Sequence, residues 1–323
     1  AESAPVSYTP KVPVPKSRAA LIKGESRKGN IIEALKAIEA DVRRGIEGRK
    51  RVLIKPNFVH TEIALAATQA DVVEGILEFL KPIHRGEIII GESAANSPAD
   101  VGYKNYGYHE LARKYPVKLV DFDLEPYTYI YCIDDKFRPI PARITRHVFD
   151  PDTYIISAAR MKTHDRIVAT LSLKNILVGA VIKDTTAGWG SYSKGGKNDK
   201  PVTHGGNTIR GVNWNLFQMA QTLRPHLSVI DGFQGMEGNG PTGGTPVDHR
   251  IAIASADFLA ADRIAVEVMG IDFKKVGYLN FCALGALGQA DLAQIDIQGE
   301  KPDNVKRVYK LHKFIEKEYD WGG

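Results

Sequence analysis

The chain has 323 residues, 43% hydrophobic and 25% charged, which fits one large globular domain or two smaller ones and excludes a disordered or collagenous protein. A formal charge of +5 and a pI near 8.9 are mild for this size, and neither a basic helical stripe nor a recognised nucleic-acid motif accompanies them. No apolar run approaches the roughly eighteen residues of a membrane-spanning helix.

Residues 1–19 carry Pro5, Pro10, Pro13 and Pro15 with few apolar anchors, so they read as an extended arm, free or wrapped on a neighbouring copy. The stretch Ala1-Glu2-Ser3-Ala4-Pro5 resembles the end left by a signal peptidase, which predicts export to a periplasmic or extracellular space. Apolar residues at helical spacing follow over 30–38. Then Arg51-Val52-Leu53-Ile54-Lys55 reads as a strand stopped by Pro56, which offers no amide to a ladder. A helix over 69–80, a strand over 87–90 ending in Gly91-Glu92-Ser93, a helix over 109–114 and a strand over 117–120 complete a first set of units. Short connections between alternating strands and helices predict a parallel sheet with helices on its faces.

The pattern changes at Tyr127, where two β-rich runs flank Asp134-Asp135 and predict an antiparallel hairpin whose second strand, with Pro139 and Pro141, lies at an edge. The run Thr153–Ala159 reads as a buried strand, followed by Lys162, Thr163, His164 and Asp165 and by a helix over 171–183 that carries Lys174 and Asn175. The long stretch 184–207 predicts a lid or assembly contact, with His204 an ordinary loop residue unless the loop folds back. A helix over 207–223 and a strand over 227–230 lead to Asp231 and the most glycine-dense segment, 231–244. Its glycines allow exposed amides to cradle an anion. A strand over 250–254, a helix over 257–269 and a charged helix over 304–319 close the chain. The expected organisation is an α/β fold with a mainly parallel sheet flanked by helices: a first lobe over 20–150 with the hairpin insertion, a second α/β lobe over 151–300, and a C-terminal helix over 301–323.

Six motifs occur in order: Val52-Leu53-Ile54-Lys55-Pro56-Asn57, Gly91-Glu92-Ser93, Lys162-Thr163-His164, Leu171-Ser172-Leu173-Lys174-Asn175, Val229-Ile230-Asp231-Gly232 and Met236-Glu237-Gly238-Asn239-Gly240-Pro241. Together they resemble the family known as domain of unknown function 362, over about residues 50–290. The resemblance supplies no reaction. Some members of that family carry ferredoxin-like iron–sulfur modules or export signals, but Cys132 and Cys282 lie far apart without a CxxC, so this chain's own cysteines build no iron–sulfur cluster.

Ligands of open α/β sheets bind outside the carboxyl ends of the strands. Lys55, Asn57, Glu92, Ser93, Lys162, His164, Asp231 and, from the adjoining helix, Lys174 and Asn175 therefore converge on one expected cleft, with Glu237, Gly238 and Gly240 added by the glycine-rich segment. Several lysines in one pocket repel unless an anion or carboxylates compensate them, which points to a phosphate- or carboxylate-bearing small molecule. Lys162, His164 and Lys55 are the candidate catalytic groups, a lysine of lowered pKa serving as base or Schiff-base nucleophile. His164, Glu92 and Asp231 form a candidate set for a divalent metal, although no HxH or HExxH spacing supports it. Pro246 and the strand after the glycine-rich segment argue against a dinucleotide fingerprint, and neither a P-loop nor a GxSxG elbow is present. The competing reading is a non-catalytic exported protein that self-assembles through its arm and long loop.

Overall fold

A computed structural model describes residues 12–188 and 194–322. In chain order these form β1 (Ser17–Lys23), α1 (Arg27–Ala37), α2 (Glu39–Ile46), β2 (Arg51–Lys55), α3 (Ala70–Leu80), β3 (Glu87–Glu92), α4 (Ala99–Asn105), α5 (Tyr108–Lys114), β4 (Val117–Asp121), β5 (Tyr127–Ile133) and β6 (Pro139–Thr145). There follow β7 (Thr153–His164), β8 (Val168–Thr170), α6 (Ser172–Gly179), α7 (Ile209–Ala220), β9 (Leu227–Asn239), β10 (Gly243–Ser255), α8 (Phe258–Val268), α9 (Gly277–Leu284), β11 (Ile295–Gly299) and two short turns of helix, α10 (Pro302–Val305) and α11 (Ile315–Glu318).

The main sheet has nine strands in the order β11-β1-β10-β9-β7-β2-β3-β4, with β8 paired to β7, and the β5–β6 hairpin stands apart as its own two-stranded sheet. Strands β7, β2, β3 and β4 run parallel to one another, as does β9 to β7, while β10 and β8 are antiparallel additions. Strands from both halves of the chain thus hydrogen-bond into one sheet, joined across residue 150 where β7 pairs with β2.

Alternating side chains feed two cores. Val52, Ile54, Tyr154 and Ile156 face α1, α3, α4 and α5, whereas Leu53, Ile155 and Met161 face α6, α7, α8 and α9. After β2 the chain moves outward through β3 to β4 on the first face. After β7 it moves the other way, through α6 and α7, to β9. The order therefore reverses between β2 and β7, which opens a crevice at their carboxyl ends.

Four sequence expectations change. The arm predicted over 1–19 ends earlier than expected, because Ser17–Lys23 is β1, held between β10 and β11. Its preceding carbonyls, Val14 and Pro15, accept hydrogen bonds from Gln289. Residues 1–11, with the expected signal-peptidase end, and 189–193 of the long loop lie outside the described residues. The central strand does not stop at Ala159 but continues to His164, wholly buried, because β9 and β8 extend the ladder on its two sides. The glycine-rich segment is a strand rather than an open loop, since β9 runs through Asn239 and pairs with β10.

The single helix expected over 301–323 is broken. Residues 306–312 are extended because their peptide groups are taken by the core: Arg307 and Tyr309 donate to the carbonyls of Val268 and Met269, and the Lys310 carbonyl accepts from the amide of Gly238. Tyr309 anchors this strap at 2% exposure, its hydroxyl 3.1 Å from His249 Nδ1.

Candidate functional site

Strand β2 ends at Lys55 opposite Ser157, while β7 runs on to His164. Beyond that point alternate residues Lys162 and His164 share one face of β7, and of the two His164 lines the cleft while Lys162 is buried beneath it. Helix α6 closes the other side. Its first amides, Ser172 N and Leu173 N, donate to the two carboxylate oxygens of buried Asp262 at 2.8 and 3.1 Å. Burial pushes the Asp262 carboxyl up to about 7, and these two amides oppose the shift. The N-terminus of α6 is thus satisfied from within the protein.

At the floor of the crevice lies a fully satisfied polar cluster. Lys55, at 0% exposure, donates to Glu92 Oε1 (2.6 Å), to the Pro56 carbonyl (2.9 Å) and to Asn175 Oδ1 (3.3 Å). Burial lowers the Lys55 pKa, and Glu92 works against that shift. Glu92 in turn accepts from the amides of Phe58 (2.8 Å) and Ser93 (2.9 Å). Asn175 bridges β2 and β7 by donating to the Lys55 carbonyl and to Ser157 Oγ, both at 3.1 Å, and its Oδ1 also accepts from Asn57 Nδ2. Helix α6 can lie this close because its last residue is Gly179; a Cβ there would stand 2.2 Å from Lys55 Nζ. Ser93 turns its hydroxyl to Asp123, which also holds the buried ammonium of Lys183 at 2.6 Å.

Lys162 differs from Lys55. It is also at 0% exposure, but among the described residues its ammonium meets neutral acceptors only, Asn57 Oδ1 and the Ala66 carbonyl at 3.2 Å. Burial, with Lys174 and Arg160 nearby, drives its pKa well below the usual lysine range.

Above this floor opens a cleft of about 480 Å³. Its charged and imidazole lining comes from the β7–β8 turn (His164, Asp165, Arg166), from α6 (Lys174), from the refolded long loop (Lys200, His204) and from His60 after β2. Lys174 is 6% exposed, its Nζ has no hydrogen-bond acceptor among the described residues, and burial pushes its pKa down to about 8. Lys200 donates to the carbonyls of Val178 (3.2 Å) and Val181 (2.5 Å), and burial takes it to about 7. His164 Nδ1 faces both the Arg166 amide and Asp165 Oδ1, each at 3.1 Å. Burial first, then the charge of Lys174, holds its pKa well below the usual imidazole range. His204 is held at about 4 for the same two reasons.

Not every expected residue joins this cleft. Asp231 faces Arg160 (3.4 Å) and Arg27 (3.3 Å) and accepts the Phe233 amide, so it neutralises a separate arginine pair. Glu237 accepts the Lys310 amide, and Gly238 accepts from Thr163 Oγ1 while donating to Lys310, so both are committed to the β9 edge and the C-terminal strap. Their amides form no anion nest. Gly240 serves close approach: a Cβ there would stand 2.0 Å from the Thr163 carbonyl oxygen. The proposed metal set of His164, Glu92 and Asp231 does not assemble, because the two carboxylates are spent on different cations, and the described residues include no group of three or more His, Cys, Asp or Glu placed to hold a metal ion. Cys132 and Cys282 are both buried and unpaired as thiols.

A search of protein families matches residues 52–267 to "Domain of unknown function (DUF362)", more than half of the chain. The chain belongs to this family. Among curated proteins, the thylakoid-associated protein sll1697 of Synechocystis is 27% identical over 224 residues, covering 69% of this DUF362 chain and 64% of that protein. Among solved structures, the lactate racemase apoprotein of Thermoanaerobacterium thermosaccharolyticum aligns at 13% identity and a TM-score of 0.45, covering 77% of this chain and 56% of that one. A protein of Thermotoga maritima aligns at 12% identity and a TM-score of 0.38, covering 70% and 55%.

Sequence reasoning missed three parts of the candidate site in this DUF362 chain. Lys200 was absorbed into a lysine-rich loop, although its burial between two carbonyls sets it apart from Lys194 and Lys197. His204, expected as an ordinary loop residue, lines the cleft because the loop does fold back. Asp262 stood unremarked in a small-residue helix; a lone acid among Ala260, Ala261, Ile264 and Ala265 was the available signal.

Proposed function

We propose that this protein binds a small anionic molecule in the cleft between β7, α6 and the refolded loop, with Lys174 as the principal cation. The observation that carries the reading is a nearly buried ammonium that faces a cavity and has no acceptor of its own among the described residues. Because the ammonium opens onto the cleft, an anion placed there would give it a charge-assisted hydrogen bond. The cleft volume falls within the range of small-molecule sites, and its place at the sheet's switch point is where α/β proteins bind ligands. With a pKa near 8, Lys174 is also able to exchange a proton with a bound molecule at neutral pH.

Isothermal titration calorimetry with acetate and inorganic phosphate tests this. One saturable site is expected for the wild-type protein, and Lys174→Met should remove it while the far-ultraviolet circular dichroism stays unchanged. Absence of binding by these anions and by a longer-chain carboxylate, or equal binding by the variant, overturns the reading.

A further inference from the structure

The same cleft carries information about what else the ligand contains, and the inference drawn from it rests on the anion-binding reading above. Its cations are not equally available to a ligand. Arg166 is turned aside to donate to the Asn207 carbonyl, Lys200 is held by two backbone carbonyls, and Asp165 lies against His164 rather than against either cation. Lys174 is the cation whose Nζ has no hydrogen-bond acceptor among the described residues, and the neutral imidazole of His164 lines the cleft beside it. That arrangement complements a single negative charge with two acceptor oxygens better than it complements a phosphate dianion.

The rest of the wall mixes three polar residues, Asn96, Asn207 and Thr242, with five apolar ones. Val59 and Ile63 come from the segment after β2, Ala95 from the segment after β3, Val178 from α6 and Pro241 from the turn after β9. Val178 follows Lys174 by four residues on α6, so the two side chains neighbour each other along one helix face, about 5–6 Å apart. A ligand whose charged end meets Lys174 would therefore lay its next few atoms against Val178 and the apolar wall.

We infer that the ligand is an amphipathic monocarboxylate: an acid group held by Lys174 and His164, carrying an apolar body of several carbons that lies against Val178 and the side chains from the β2 and β3 loops.

Calorimetric titration of the full-length protein with acetate, butyrate, hexanoate, inorganic phosphate and 1-hexanol separates the possibilities. Each fully buried methylene tightens binding by about fourfold. Partial burial should still make hexanoate at least about tenfold tighter than acetate, with phosphate weaker than hexanoate and hexanol not measurably bound. Val178→Ser should flatten the chain-length series, and a melting temperature within about 2 °C of wild type would show that the fold is intact. Acetate and phosphate binding without any gain from acetate to hexanoate overturns this inference and leaves the anion-binding reading standing. No binding by any anion, or hexanol binding as tightly as hexanoate, overturns both.

Discussion

Raising the pH from 7 to 9 should weaken hexanoate binding about tenfold, and the size of that loss follows from Lys174. Its pKa in the unliganded protein is about 8, lowered from 10.5 mainly by burial, with Lys55 adding to the shift and Asp165 opposing it. Around it, His164 and His204 are already neutral throughout this range, and Lys200, near 7, is largely neutral above it. The protonated fraction of Lys174 then falls from roughly nine tenths at pH 7 to one tenth at pH 9, and a carboxylate ligand binds the protonated form. Hexanoate does not titrate here, so the pH dependence belongs to the protein. Titrations at pH 8 in two buffers of different ionisation enthalpy should show about half a proton taken up per ligand bound. A dissociation constant that stays flat from pH 7 to 9, with no proton uptake, would refute the argument.

The same shift has a consequence for stability. A lysine whose folded pKa lies below its unfolded value opposes folding while charged, so the wild-type protein should gain stability as the pH rises from about 8 towards 10.5. The gap corresponds to about 3 kcal/mol at pH 7. Lys174→Met should therefore raise the melting temperature at pH 7 by several degrees while abolishing binding, and the gain should fade above pH 10. Loss of stability in this variant would mean that Lys174 has a structural partner.

Three further outcomes are expected. Glu92→Gln leaves Lys55 buried without a counter-charge and should cost about 3–5 kcal/mol, or roughly 4–7 °C in thermal melting of a chain this long; a change below 1 °C would show that the Lys55 ammonium is not charged in the fold. Gly240→Ala drives a methyl into the Thr163 carbonyl, so it should destabilise by about 1–3 kcal/mol and speed proteolysis of the β9–β10 turn; wild-type protease sensitivity would contradict the close approach. Glu318 accepts the amide of Val168, whose φ of 69° is unusual for a β-branched residue, and burial raises the Glu318 carboxyl to about 7. Glu318→Gln keeps an acceptor and should behave as wild type in thermal melting, whereas Glu318→Ala should destabilise by about 1–3 kcal/mol; equal effects of the two would deny the hydrogen bond.

Much of the sheet was legible in the sequence because each parallel strand is a short β-branched run between turn signals, as in Arg51–Lys55 and Glu87–Glu92. The length of β7 was not. Arg160, Lys162 and His164 are polar, and nothing local to the sequence says that β8 and β9 will cover them and keep the strand going. Glycine density in β9 and the turn after it misled for a related reason: Gly235 and Gly240 mark places where Tyr309 and Thr163 press against the backbone, not places where the backbone is open. The lysines of the site were visible, but their division was not. Lys55 and Lys162 are both buried at strand positions, and only the partners separate a carboxylate-paired ammonium from one that meets neutral oxygens. The broken C-terminal helix failed in the same way, since the pull of Val268, Met269 and Gly238 on its backbone is a tertiary effect that helical propensity does not contain.

The most direct test is an anomalous difference map from crystals soaked in bromide, a monoanion whose position is read without prior assumption. The account predicts a peak about 3–3.5 Å from Lys174 Nζ on its cleft side, lost in crystals of Lys174→Met. Bromide found only among surface arginines, with none at Lys174, would contradict it.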